Sequence, residues 1–492
     1  MVHDEVLGGA APGRVAVVDA ATGATLTYAA LLDRAMRLAG GLRRAGARRG
    51  DVLSVVASNG TDFPIVAHGT LMAGLTLAPA SPLLTARELT TFLRQTGARY
   101  VVADTTAMPK AAEAAEAAGA EALFGVASLP LGEPVAPDAQ DPRATAFLFS
   151  SSGTTGLPKS VMQPHGAAVA LLRQLAAVPL TRARPDDVLA GIVPFAHVFG
   201  SASLNHALRA GAKIVTLPRF ELEALLRMIE EHRVTMIFAV PPIARALARH
   251  PMVDRFDLSS LRLVMLSAAP CPAELELECE TRLGCTVGQA LGMTEGAPVS
   301  LPSEPVCHGS AGLLAPSTEA IVVDPDSGER VGAEETGELW VRGPQVMRGY
   351  LGDEVATLTA IDADGWLRSG DLVRFDEDGQ LFVVDRLKEL IKVRGYHVAP
   401  AQLEAELSAH PAVVDAAVVP RFDEESSEVP VAYVSLVEDV DPSTLASWVA
   451  ERVAPYKRLA DVIVVDEVPR SPTGKLLRRV LVERERGLAA PA

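Results

Sequence analysis

Short β-branched runs alternate with longer Ala/Leu-rich stretches from residue 15 onward. Val15-Ala16-Val17-Val18 reads as a strand, residues 28–45 as a helix, 52–57 as a strand and 63–73 as a helix. Residues 99–103 predict a further strand, and the Ala/Glu-rich stretch 107–122 a solvated helix. After a loop over 125–143, rich in Pro, Gly and Asp, Ala146-Phe147-Leu148-Phe149 predicts a buried strand and residues 166–175 a helix. The alternation goes on with strands at 188–194, 213–217, 235–240 and 261–266, and helices at 221–232 and 273–283. Apolar runs too short for helices, separated by helical stretches, point to parallel sheets covered by helices. Several of these strands end in small or polar clusters, at 195–200, 267–270 and 288–295. Open α/β sheets bind ligands at such strand ends.

The texture changes near residue 320. Turn signals at 326–328, 362–365 and 376–379 separate short strands and predict a compact β unit. The charge-dense Asp385-Arg386-Leu387-Lys388-Glu389 reads as a junction. Beyond it come a helix over 400–410, strands at 416–419, 431–437 and 462–465, a helix capped by Asp441 or Ser443 and reaching Val453, and a basic terminal helix. The expected organisation is a large α/β N-terminal domain, residues 1–384, and a small α+β C-terminal domain, residues 385–492. There is no repeat of the solenoid or propeller type.

At 492 residues the chain exceeds one ordinary core. Much of its apolar share of 49% is alanine, and no run approaches the ~20 apolar residues of a spanning helix, so no membrane insertion is expected. The start, Met1-Val2-His3-Asp4-Glu5, lacks a basic secretory signal, and the last residues are neither a lipidation box nor a peroxisomal tripeptide. A soluble cytoplasmic protein is expected. A net charge of −16 argues against a nucleic-acid partner and requires locally placed cations for any anionic substrate. The four cysteines contain no CxxC pair, so neither a zinc site nor a disulfide framework is expected.

The densest chemistry lies between Ser150 and His165, which reads SSSGTTGLPKSVMQPH. A strand is expected to enter a loop of hydroxyls and glycines that ends on Lys159, with a helix after it. Glycines let backbone N–H groups approach an anion, and hydroxyls add uncharged donors, so the loop suits a polyphosphate. A flexible Ser/Gly linker fits less well, because the order is not repetitive and structured segments flank it. It is not a Walker A loop, because Lys159 follows proline rather than glycine.

Taken together, Ser151-Ser152-Gly153-Thr154-Thr155-Gly156-Leu157-Pro158-Lys159, Gly292-Met293-Thr294-Glu295, residues 337–344 (GELWVRGP), 365–371 (GWLRSGD), 385–392 (DRLKELIK) and 469–475 (PRSPTGK) resemble the adenylate-forming superfamily. The branch they are similar to is that of the acyl-CoA synthetases, near the 4-coumarate–CoA ligases. The motifs follow in the family's order across nearly the whole chain, a weight no single motif carries. The resemblance implies two α/β sheet subdomains plus a small β-barrel, and a mobile C-terminal lid hinged near Asp385. It also implies an ATP-dependent acid–CoA ligase. A carboxylate attacks the α-phosphorus of ATP, pyrophosphate leaves, and the thiol of coenzyme A then displaces AMP from the acyl-adenylate.

Residue by residue, the resemblance implies that Ser151, Ser152, Gly153, Thr154, Thr155 and Lys159 wrap the β- and γ-phosphates. Glu295 would help to hold Mg²⁺ and Thr294 would contact the α-phosphate. Ala268, Ala269, Gln289, Ala290 and Leu291 would complete the nucleotide site. Asp371 would accept from both ribose hydroxyls, as an acceptor-only carboxylate can, with Arg386 reaching the same ribose. Lys475 would bridge the attacking carboxylate and the α-phosphate as a compact point charge. His197 would sit by the carboxylate, in an acyl pocket formed with Phe199, Ser203, Ala268, Ala290, Gly292 and Val299. Lys388 and Lys392 would line the site in the thioester-forming state. Arg219, Arg394 and Gly395 would receive coenzyme A.

Some positions depart from the family's pattern. Leu291 stands where relatives usually have an aromatic ring, removing a stacking partner for adenine. Ser160 replaces a glycine, its hydroxyl expected to cap the following helix. His397 replaces a glutamine. Phe199 lacks the hydroxyl of a common tyrosine, so a buried phenol would go unpaired. With Ala290 and Ala202, this predicts an apolar pocket of modest size that fits cinnamate-like or medium-chain aliphatic acids. Residues 197–203 offer no acid to pair with an ammonium, which counts against an amino-acid adenylation domain. Lys475, Asp371 and Glu295 together count against a non-catalytic nucleotide sensor. An acyl-AMP ligase that loads a carrier protein stays open as the alternative.

Overall fold

The computed structural model describes residues 1–151, 159–393, 396–423, 426–471, 474 and 476–488. The chain forms two compact units. The first comprises residues 1–267, 273–320 and 341–367, and the second 268–272, 321–340 and 368–492.

The first unit holds two seven-stranded sheets. One runs in the order Thr286–Gln289, Leu263–Leu266, Met236–Ala239, Val188–Gly191, Lys213–Thr216, Val15–Asp19, Thr25–Thr27, parallel except for its last edge strand. The other runs Gly349–Tyr350, Lys159–Pro164, Thr145–Ser151, Thr76–Ala80, Val52–Val56, Ala98–Ala103, Ala122–Gly125. Its first three strands pair antiparallel and the rest parallel. Strands covered on both faces need continuous apolar runs, and Val188–Gly191, Met236–Ala239 and Leu263–Leu266 are buried throughout. One core joins the two sheets, from Val55, Leu77 and Phe149 on one to Leu189, Ile214 and Phe238 on the other. Helix Asp62–Met72 lies within it, buried from Phe63 to Met72, as its lack of a polar face requires. Helix Ala86–Thr96 covers the outer face, with a capping box between Thr85 and Glu88 and a left-handed Gly97 at its end.

The short helix Val2–Leu7 packs into this core through Val2 and Val6. Beside it His3, His68 and His165 are buried together, the His3 and His165 rings edge-on at 6.2 Å. Burial holds their imidazoles neutral, with His68 pushed down to about 3 and His165 to about 4.

In the second unit, the β segment expected as a small barrel forms a four-stranded sheet, Glu319–Val323, Gly337–Arg342, Leu367–Phe375, Leu381–Arg386. The C-terminal five-stranded sheet is built on the long antiparallel pair Val413–Asp423 and Ser427–Leu436. Helices Pro400–Ser408 and Pro442–Ala450 cover one face and Arg478–Leu488 the other. Asp441 accepts from the Ser443 N–H, which makes it the cap of the second helix. No described helix is long and apolar enough to cross a membrane.

Two expectations are corrected around the hydroxyl-rich loop. Lys159–Pro164 is a strand paired antiparallel with Thr145–Ser151, so a return strand stands between the loop and the expected helix, which runs His165–Ala177. Ser160 is buried in that return strand, and the following helix, His165–Ala177, has Pro164 at its N-cap. The Ser160 hydroxyl therefore caps nothing.

Candidate active site

Ser151 and Lys159 face one another at the end of this hairpin. Ser152, Gly153, Thr154 and Thr155 lie outside the described residues. The third strand of the ladder, Gly349–Tyr350, sets the Tyr350 ring under the Lys159 ammonium, 4.8 Å from the ring centre. The Tyr350 hydroxyl donates to Glu295 Oε1 at 3.0 Å, and the Met347 N–H donates to the Glu295 carbonyl at 2.7 Å. The expected phosphate lysine and the expected metal carboxylate are thus brought together, through a tyrosine that sequence reasoning passed over. Its only local signal is its place a few residues after the GELWVRGP motif.

Glu295 closes a segment that leaves the strand Thr286–Gln289 at its C-terminal end. Leu291 N–H donates to Ser300 Oγ at 3.2 Å and its carbonyl accepts from Val299 N–H at 2.8 Å, which fixes the turn. Ala290, Leu291, Gly292 and Thr294 are half-buried, and Val299 is fully buried. The Gln289 side chain hydrogen-bonds the carboxyl of Glu276, which also accepts from the Gly309 N–H at 2.8 Å, with His308 Nδ1 at 3.4 Å. Burial pushes Glu276 up to about 7, partly offset by these hydrogen bonds.

His197 is the N-cap of helix Val198–Arg209. Asn59 holds the approach to it, donating to the carbonyls of Gly191 and Val193 at 3.0 and 2.9 Å and accepting from the Phe195 N–H at 2.8 Å. A β-carbon at Gly200 would lie 2.0 Å from the Pro194 carbonyl oxygen, so only glycine fits the first turn. Burial lowers the pKa of His197, which leaves a neutral imidazole at pH 7. Phe199 stacks on Phe238 at 5.8 Å and 9°, with His206 on the same ring at 6.2 Å. Ser203, on the same helix, is fully buried with no hydrogen-bond partner for its hydroxyl. Arg219 is exposed in the segment after Lys213–Thr216.

In the second unit, Ala268 adopts φ +74°, a left-handed backbone that costs an alanine roughly 1–2 kcal/mol. It is exposed, and Ala269 is half-buried. Asp371 and Arg386 are register partners on adjacent strands, their ion pair 2.9 Å with Asp371 buried. Asp385, next along, is buried and accepts from the Ala401 N–H at 3.0 Å. Burial pushes its carboxyl up to about 6. Arg478 reaches Glu389 at 2.6 Å, Glu404 Oε2 at 2.9 Å and the Val418 carbonyl at 3.0 Å. Arg470 is held by Asp415 at 2.7 and 2.8 Å and donates to the Gly474 carbonyl at 2.6 Å. Lys392 is exposed, and its N–H donates to Glu428 at 2.8 Å. Lys475, Arg394 and Gly395 lie outside the described residues, as do the side chains of Lys388 and His397.

Among the described residues no group of three or more His, Cys, Asp or Glu could hold a metal. A single carboxylate at Glu295 suits Mg²⁺ that arrives on a polyphosphate, which supplies the other oxygens itself.

The chain belongs to the AMP-binding enzyme family: the family's model matches residues 8–351, and the model of the AMP-binding enzyme C-terminal domain matches residues 402–475. Within that family it is 37% identical to the 4-coumarate–CoA ligase 5 of Oryza sativa subsp. japonica, over 95% of this chain and 91% of that protein. Among solved structures it is similar to ATP-bound MatB from Rhodopseudomonas palustris (TM-score 0.92, 27% identity, 99% of each chain). It is similar too to the o-succinylbenzoate CoA synthetase MenE of Bacillus subtilis in complex with the acyl-adenylate OSB-AMP (TM-score 0.84, 30% identity, 96% of this chain and 95% of that one).

Proposed function

We propose that this protein is an ATP-dependent, AMP-forming acid–CoA ligase. The observation that carries the reading is its full-length likeness to a CoA ligase, 37% identical over 95% of the chain. The residues fit the charge problem of the first half-reaction, in which one anion attacks another and donors must meet the charge that builds up. Ser151 and Lys159, with Ser152, Gly153, Thr154 and Thr155, hold the departing pyrophosphate. Glu295 receives Mg²⁺, which when bound neutralises phosphate charge, and Thr294 contacts the α-phosphate. Asp371 and Arg386 hold the ribose, while Gln289, Ala290, Leu291, Ala268 and Ala269 form the base site. Lys475 bridges the carboxylate and the α-phosphate oxygens as the new O–P bond forms and the bond to pyrophosphate breaks.

In the second half-reaction the coenzyme A sulfur attacks the acyl carbon and AMP leaves. Arg219, Arg394 and Gly395 receive coenzyme A, with Lys388 and Lys392 lining the site, and the domain beyond Asp385 turns about that residue between the two steps. The acid lies beside neutral His197, against Phe199, Ser203, Ala290, Gly292 and Val299. The stacked Phe199 offers no hydroxyl, which favours a cinnamate-like ring without a para-hydroxyl or a medium-chain aliphatic acid. A cytoplasmic setting accords with the four free cysteines, since disulfides are rare in that compartment.

The test is a panel of carboxylic acids with ATP and Mg²⁺. Pyrophosphate release should depend on the acid, and added coenzyme A should yield a thioester. Acid-dependent AMP formation with no thioester at saturating coenzyme A would point to the carrier-loading reading instead.

A further inference from the structure

We propose that Tyr350 is a positioning residue that keeps the phosphate-holding lysine and the metal-receiving carboxylate from pairing with each other. The inference rests on the roles given above to Lys159 and Glu295. Tyr350 touches both: its ring face lies 4.8 Å from the Lys159 ammonium, and its hydroxyl is 3.0 Å from Glu295 Oε1. Backbone hydrogen bonds fix all three. Lys159 pairs with Ser151 across the hairpin, Tyr350 pairs with Val161 on its other side, and the Glu295 carbonyl takes the Met347 N–H.

A lysine and a glutamate that share one tyrosine as neighbour would otherwise be free to form a half-buried ion pair. Breaking such a pair strands two charges, and each ATP·Mg²⁺ that bound would have to do so. The tyrosine offers each charge a milder partner instead, a ring quadrupole for the ammonium and one hydroxyl for the carboxylate. Phosphate and metal displace both readily. Tyr350 also packs against the small cluster of Val161, Met347 and Leu367, which leaves its ring little room to swing aside.

The experiment is equilibrium binding of ATP to the full chain, in EDTA and across a Mg²⁺ titration. Tyr350→Leu keeps apolar bulk but offers neither partner, so metal-free ATP affinity should fall about tenfold. Adding Glu295→Gln removes the carboxylate that captures the lysine, and the double variant should return to within about twofold of Glu295→Gln alone. Tyr350→Phe keeps the ring face. It should lower metal-free ATP affinity by less than Tyr350→Leu does, while needing several-fold more Mg²⁺ for half-maximal enhancement of ATP affinity. The proposal is overturned if the double variant stays as weak as Tyr350→Leu, or if Tyr350→Leu binds metal-free ATP normally. If Tyr350→Leu does not fold, an unchanged Mg²⁺ requirement in Tyr350→Phe overturns it. Lys159→Ala separates the two levels: unchanged metal-free affinity there refutes the phosphate role of Lys159 itself, and the Tyr350 proposal with it.

Discussion

Glu276 carries a consequence of its own at the scale of single residues. Its carboxyl is fully buried, and the native state holds its proton up to about pH 7, whereas an unfolded chain releases it near the ordinary 4.5. The contribution to stability is therefore complete below pH 4.5 and is lost as pH rises to about 7. Glu276→Gln keeps an acceptor for the Gly309 N–H and removes the titration. Relative to wild type it should gain stability between pH 5 and pH 8, by up to about 3 kcal/mol, read from denaturation at both pH values. An equal difference at the two pH values would show that the residue does not titrate in that window. Neither Glu276 nor Tyr350 stands out in the sequence. Their partners lie at positions 289 and 309 for one, and 159 and 295 for the other, and no local pattern carries such a meeting. The residues of the shared motifs can be named from the sequence because they stand as blocks, and His197 only through the resemblance those blocks carry, since a lone histidine has no such signal.

At the scale of elements, agreement follows periodicity. The helix over 273–283 and the strand over 213–216 stand where the apolar spacing puts them. Thr76–Ala80 lies inside its sheet although it contains Pro79, a residue that favours edges, so its composition does not mark it as a strand. Lys159–Pro164 is hidden for a related reason: a lysine and a serine at its start and a proline at its end mask a return strand that only its partner reveals. Arg478 shows how one side chain joins elements far apart in the chain. Its guanidinium links the segment at Glu389, helix Pro400–Ser408 through Glu404, and strand Val413–Asp423 through the Val418 carbonyl. Arg478→Met would leave two carboxylates facing each other and should destabilise the C-terminal unit by about 3–5 kcal/mol, measured by denaturant unfolding of the full chain. Adding Glu389→Gln and Glu404→Gln should recover most of that loss. If it does not, packing rather than charge explains the effect.

At the scale of the whole molecule, the proposed division of labour makes the two half-reactions separable. Lys475→Ala should slow acid-dependent pyrophosphate release by about 100-fold or more, while thioester formation from a supplied acyl-adenylate stays within a few-fold of wild type. Equal losses in both steps would contradict the role given to Lys475. With a net charge of −16, the chain can attract so anionic a substrate as ATP only through such local cations.

The three histidines packed beside the first helix bear on something other than catalysis. In the native chain burial lowers the pKa of all three below the ordinary 6.5, to about 3 for His68 and about 4 for His165. An unfolded chain protonates them as soon as the pH drops through 6.5. The stability they represent is present above that value and drains away as the pH falls toward 4. The cluster is an acid fuse. Mild acidification arms it while the surface carboxylates are still charged, and the place where it would blow is the seat of helix Val2–Leu7, which packs into the core through Val2 and Val6 with His3 buried beside them.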